Sequence, residues 1–235
     1  SFMQEADSEK VYFFSPGKSS YYSNVTLWVL AKYTTLTDGR LCLQPRWSML
    51  NGYNGICLFY SRLDAEIQAL HYKDVEGDNW SVWPLDDMNI TEMLQALHGF
   101  QQYYFTHMVI GLSIPATGVI NGKRYLSLYA LTERFAIDKE IMKYQHPYSV
   151  ILKFSDQDFT DIENTWFSHF ASYSEVISAQ NKLDARILQC EALKAYMSVT
   201  ELAAPNKTDN LSIGTWSVMD QKWIFTQPWN SQTVH

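Results

Sequence analysis

Two stretches of this chain carry one pattern about 69 positions apart, and any fold has to accommodate both. Residues 79–97 and 147–166 each read as a strand, a short acidic turn and the start of a helix. The agreement is closest in the helices. Asn89 stands where an N-cap belongs, with Glu92 three residues on, and Asp158 and Asp161 take the same two places in the second stretch. Such side chains satisfy the orphan amides of a first helical turn and face the positive end of its dipole. Ile90, Met93, Leu97 and Tyr104 mark an apolar face at helical spacing, matched by Phe159, Ile162, Trp166 and Tyr173. Upstream, the run 56–61 precedes a helix-like segment over 62–70, and the run 125–130 precedes one over 133–142. Internal duplication is the expectation, against the plainer reading that any two strand–helix units look alike.

A length of 235 residues suits one large domain or two small ones. Apolar content of 46% with 18% charged residues is ordinary for a globular protein, and the 15% of aromatic residues supplies large side chains for a core. A net charge of -7 argues against a nucleic-acid surface, which needs Lys and Arg on phosphates, and suits a basic partner. Cys42, Cys57 and Cys190 are odd in number and form no CxxC pair, so free buried thiols are expected rather than disulfides or a zinc site. No stretch reaches the run of about 18 apolar residues that a spanning helix needs. The first ten residues lack a basic and an apolar region of the leader type, which predicts a cytoplasmic protein. The Asn-X-Ser/Thr sequons at Asn24, Asn79, Asn89, Asn206 and Asn210 point the other way.

In chain order, strands are expected at 11–14 and 25–33. A hairpin turn at 37–40 leads to a return strand at 41–44, and a loop over 47–54 leads to a strand at 56–61. A short helix closes at Leu70, residues 74–78 make an acidic turn, and the Trp80 strand leads to a capped helix reaching Tyr104. The second half opens with a strand at 106–114 and a turn at Asn121-Gly122, and its capped helix runs from Asp158 past Tyr173. A further helix over 183–202 would present Leu183, Ile187, Leu188, Leu193, Met197 and Leu202 on one face before Pro205 stops it. A hairpin over 211–226 pairs Trp216 with Trp223. The expected fold class is α+β: related mixed sheet-and-helix modules at 11–105 and 106–180, packed together, then a C-terminal helix and β-hairpin over 181–235.

The strand ending in Leu58-Phe-Tyr-Ser61, a helix carrying Ala65, a further strand and a capped helix resemble the SseB-like family. Members carry a Phe-Thr-Ser type motif at the end of that strand; here Tyr60 replaces the Thr, and the second module has Leu128-Tyr-Ala130. The similarity spans residues 25–100 and, more faintly, 106–175. It implies small α+β modules acting as accessory or interaction domains, with no catalytic residue to carry over. Related modules near bacterial toxin–immunity loci extend the implication to toxin neutralisation.

No glycine-rich nucleotide loop, HExxH, GxSxG or EF-hand loop occurs, and no His pair has metal-ligand spacing, so neither a metal nor a cofactor is expected. Glu133 and Arg134 read as solvated helix charges. Asp86-Asp87, with Asp156 as the acid kept in the second copy, reads as turn and capping chemistry or, more sharply, as an acidic lip for a cationic partner. Trp80 and Trp83, separated by Ser81 and Val82, are expected on one side of their strand, in the core or as binding anchors. The leading function is a non-enzymatic, bacterial protein-interaction protein, a toxin-neutralising immunity or secretion-accessory factor. It would bind another protein, basic in character, through Asp86, Asp87, Trp80, Trp83 and Asp156. Two alternatives stand beside it. One is an enzyme with a convergent site in a cleft between the modules, using His107 or His146 as base. The other is a structural subunit offering its C-terminal hairpin as a sheet edge.

Overall fold

A computed structural model describes residues 21–35, 37–39, 41–90, 103–114, 119–120, 123–136, 152–199 and 212–228. The expected strand at 11–14, the body of the first capped helix, Asn121-Gly122, His146 and the segment around Pro205 lie outside them.

The sheet is built on β7 (Tyr103–Ser113), whose residues from Thr106 to Ser113 are all buried, as a strand covered on both faces must be. On one edge β5 (Tyr53–Phe59) runs parallel to it, from Ile56 opposite Thr106 to Phe59 opposite Val109. On the other, β10 (Ser127–Ala136) runs antiparallel along its whole length. The other strands of this sheet are β2 (Trp28–Thr35), β3 (Leu41–Pro45), β4 (Trp47–Leu50), β6 (Ser81–Pro84), β12 (Ile213–Ser217) and β13 (Lys222–Thr226). Nine strands follow the path β13-β12-β7-β5-β2-β3, with β10 on β7, β4 on β5 and β6 on β2. Two small ladders stand apart: β1 (Tyr21–Tyr22) parallel to β11 (Leu152–Lys153), and β8 (Val119–Ile120) with β9 (Lys123–Arg124).

Helices cover both faces. Ile56 and Leu58 of β5 pack towards α2 (Asp156–Trp166) and α3 (Tyr173–Asn181), in a core with Ile162, Trp166, Tyr173 and Ile177. Cys57 and Phe59, on the alternate face, pack towards α1 (Arg62–Glu76) and α4 (Ala185–Ser198), with Leu63, Ile67, Leu188 and Ala192. The class is α+β. The sheet draws strands from all three expected segments, and the expected boundary at 105/106 falls inside β7.

A β-bulge sets the geometry of the centre. Ala130 pairs with Val109 and Tyr129 with Gly111, so Ile110 has no opposite number. The extra residue reverses the alternation: Val109 and Leu112 share the α1–α4 core although they are three residues apart. The carbonyl of Ile110 accepts the Trp166 indole N–H at 3.0 Å in a buried hydrogen bond. Gly111 follows because a Cβ there would collide with Ile213 and press on Trp166.

Several sequence expectations are corrected. Residues 47–54 form a hairpin: Asn51 and Gly52 have φ of 53° and 85°, the doubly left-handed turn that matches strand twist. Residues 133–136 stay in β10 rather than opening a helix, and Tyr104 lies in β7. The cap of α2 is Ser155, with Asp158 reciprocating as the third helical residue; α2 ends at Trp166, and Tyr173 opens a new helix. The first copy's strand, β6, lies beside β2 in the main sheet, whereas the second copy's, β11, pairs outside it with β1. Asp74 and Glu76 belong to α1, which Gly77 ends in the left-handed region. In α4 the residues facing the sheet are Leu188, Ala192, Ala195 and Tyr196, leaving Ile187, Leu193 and Met197 exposed. Cys57 is buried but Cys190 is exposed. No helix among the described residues is long and apolar enough to cross a membrane. The C-terminal hairpin forms as expected, with Trp216 opposite Trp223.

Replacing Trp166 by Phe removes buried volume and orphans the Ile110 carbonyl. Urea denaturation should show a loss of about 2–4 kcal/mol.

Candidate functional site

The residues singled out from the sequence do not converge. Trp80 and Trp83 pack on opposite faces, Trp80 beside the α1–α4 core and Trp83 beside the α2–α3 core. Three positions along a strand reverse the side, so the expectation of one shared face fails on the two-residue period itself. Trp80 belongs to a clasp at the end of α1. Lys32 lies 4.7 Å from its ring centroid, and Arg46 stacks 3.8 Å over Tyr72 while forming a bidentate pair with Glu76 at 2.7 and 3.0 Å. Asp86 and Asp87 form a single 3-10 turn after β6. Asp86 accepts the Tyr21 hydroxyl, whose pKa burial and this carboxylate both raise. Asp156 is the exposed first residue of α2.

His107, the candidate base, is buried in β7 with both nitrogens engaged. Nε2 lies 2.9 Å from the Tyr53 carbonyl and Nδ1 2.8 Å from Thr132 Oγ1. A carbonyl only accepts, so Nε2 carries the proton and Nδ1 accepts from the threonine. Burial lowers the imidazole pKa and keeps the ring neutral. Glu133, expected in solvent, points from β10 at Asp158; burial first, then the Asp158 carboxylate, push its pKa up to about 8.

A different constellation forms where β5 leaves the sheet. The Tyr60 N–H still donates to the Val109 carbonyl at 3.0 Å, after which Ser61 caps α1 by accepting the Asp64 N–H. On the same edge of β7, β12 pairs at Ile213 and Gly214 alone among the described residues. The two strands thus part at the carboxyl end of a parallel strand, the place where open sheets bind ligands. The C-terminal end of α3 is tied across it: Asn181 accepts the Arg62 N–H and donates to the Tyr60 carbonyl, and Gln180 donates to Ser61 Oγ.

Beside this junction, in the first turn of α1, lies Asp64. It is fully buried, neither carboxylate oxygen has a hydrogen-bond partner among the described residues, and burial pushes its pKa up to about 8. Tyr173 faces it from α3, its ring stacked 4.9 Å from Trp166 and 5.8 Å from Tyr60. Burial and, secondarily, the Asp64 charge hold the Tyr173 pKa well above its ordinary value, while the Thr215 side chain beside its hydroxyl works the other way. Tyr173 and Thr215 also form part of the wall of a groove of about 700 Å³ between α3 and the end of β12. Phe170, Val176, Leu183, Trp216 and Met219 make that wall mainly apolar. The size and lining suit a ligand or an inserted side chain.

Glu191 of α4 shows what a partnered acid looks like in the same molecule. Burial works against its ionised form, but the Trp216 indole, Gln221 and Lys194 donate to it at 2.9, 2.8 and 3.0 Å and hold its pKa below the usual value. Asp64 has no such donors among the described residues, and burial favours the neutral form of its carboxyl. No group of three His, Cys, Asp or Glu able to hold a metal occurs among the described residues. No protein-family model matches the chain, and neither the curated proteins nor the solved structures contain a match.

The folded-state pKa of Asp64 lies above its unfolded value, so its contribution to stability is full at low pH and is lost as pH rises through about 8. The stability of Asp64→Asn relative to the parent should therefore rise between pH 4 and 8, by on the order of 1 kcal/mol per pH unit in paired urea titrations. His107 has the opposite sign: its depressed pKa gives stability that is present above about pH 6.5 and lost as pH falls. Nitrogen NMR of its ring should show the Nε2–H form and a titration midpoint below that of a free histidine.

Proposed function

We propose that this protein is a non-enzymatic interaction protein that takes up a segment of its partner in the groove between α3 and β12. The observation that carries the reading is this apolar groove, with the buried Tyr173 on its wall and the unpartnered Asp64 of α1 near that tyrosine. A buried unpaired acid lowers stability with no structural return, and groups of that kind mark functional sites. Val176 and Met219 are exposed on the groove, where an inserted anchor would bury them and concentrate binding energy. The net charge of -7 favours a basic partner. The SseB-like resemblance supports an accessory, immunity or secretion-linked role, and the engagement of His107 on both nitrogens supports binding rather than base catalysis by that residue. Free thiols at Cys57 and exposed Cys190 suit the reducing cytoplasm expected from the sequence.

The groove and the acidic lip make different demands on affinity capture from the native cells. A stoichiometric partner should be recovered with the parent and with an Asp87→Ala/Asp156→Ala double variant. It should be lost with Val176→Glu, which places a charge in the groove while Tm stays within a few degrees. Retention by Val176→Glu with loss by the double variant would overturn the groove in favour of the acidic lip.

A further inference from the structure

Resting on the groove reading, we infer that the segment taken up between α3 and β12 is an apolar one flanked by lysine or arginine. Its apolar side chains enter the groove, and its cations meet a carboxylate on each wall. Size sets the first condition. An apolar cavity of roughly 150 Å³ takes up one benzene ring. The groove, at about 700 Å³, has room for several side chains of that size. Val176 and Ile177 line it from α3, Leu183 from just beyond that helix, and Trp216 and Met219 from β12 and its turn. Val176 is 41% exposed and Met219 94%, so apolar surface stands in water on both walls. Covering it is favourable, and an unbranched methionine adapts to what covers it.

Charge sets the second condition. Glu175 lines the groove from the first turn of α3, and Asp220 lines it from the turn after β12. Both are exposed. Their backbone N–H groups donate to Ser172 Oγ at 3.4 Å and to Ser217 Oγ at 3.0 Å, which holds each acid in place. Neither carboxylate has an ion-pair partner among the described residues. No lysine or arginine lines the groove, and Lys194 of the neighbouring α4 is held by Glu191 and Gln221. An acidic segment would set its charges against these two carboxylates, and an uncharged one would leave them unanswered. Cationic flanks complement both. An apolar centre with a charged rim is the usual anatomy of a protein interface. Affinity then comes from the buried anchors, while the rim carboxylates steer the encounter and reject acidic competitors.

The test is a selection from a displayed library of random 12-residue peptides. The full chain, Val176→Glu and a Glu175→Lys/Asp220→Lys double variant are panned in parallel. The parent should enrich peptides in which two or more large apolar residues are flanked on both sides by lysine or arginine. Val176→Glu should lose these peptides, and the double variant should select aspartate or glutamate in the flanks instead. Apolar peptides without cationic flanks, or the same flanks on the parent and the double variant, overturn the inference. If Val176→Glu still loses the peptides in that case, the groove reading stands and only the cations fall. Peptides retained equally by Val176→Glu overturn the groove reading as well. A milder variant guards against misfolding of the charge reversal. By fluorescence polarisation, Glu175→Gln/Asp220→Asn should bind a parent-selected peptide about three- to tenfold more weakly than the parent at 50 mM salt. The gap should close at 500 mM salt, where exposed charges are screened. Equal affinity of the two proteins at 50 mM salt overturns the inference.

Discussion

One extra residue in β7 determines much of how this molecule is put together. Ile110 has no partner across the ladder, so the strand before it and the strand after it present opposite alternations to the helices. Its carbonyl takes the Trp166 indole, which fixes α2 against the sheet, and its neighbour has to be glycine for Ile213 and Trp166 to close in. Close packing makes such a point stiff, because no side chain around it can move without opening a void. The same region is where the two neighbours on one edge of β7 part: β5 turns off into α1, and β12 holds on for two residue pairs. The parting of these two strands is thus a consequence of topology, beside a closely packed part of the core.

Two of the buried acids, Glu191 and Asp64, differ in one respect that matters. Glu191 meets an indole, an amide and an ammonium from its own chain. Asp64 meets none among the described residues and is held neutral by burial. Replacing a satisfied acid destabilises a protein, whereas an unsatisfied one is itself the source of instability. A fold selected only for stability would have an apolar residue at position 64. An acid kept there, near a tyrosine of the groove wall, is the kind of perturbed group that collects at functional sites.

The strands were legible where one rule settles them. The apolar runs at 25–33, 56–61 and 106–114 fall on the strands β2, β5 and β7, the Thr-Asp-Gly and C-terminal hairpins close as their turns dictate, and Trp216 meets Trp223. Asn51-Gly52 carried an equally plain hairpin signal, and the preceding strand follows from it. Other features need the third dimension. Helical spacing joined Tyr104 to one stripe and Tyr173 to another, but the first is in a strand and the second opens a separate helix, because tertiary burial of aromatics overrides local periodicity. Trp80 and Trp83 were assigned one face against the period of a strand, and they part to opposite cores. Asp64 follows Ser61 by three residues and reads as an ordinary first-turn acid; nothing local announces that α3 and β12 will seal it from water.

The central claim is that Asp64 is a buried acid kept neutral for want of a partner. Carbon NMR of the Asp64 carboxyl, followed against pH in the unliganded full chain, measures this directly. A midpoint near pH 8, far above the other aspartates, is the predicted result. A midpoint near pH 4, as for a solvated or already paired carboxylate, would contradict it.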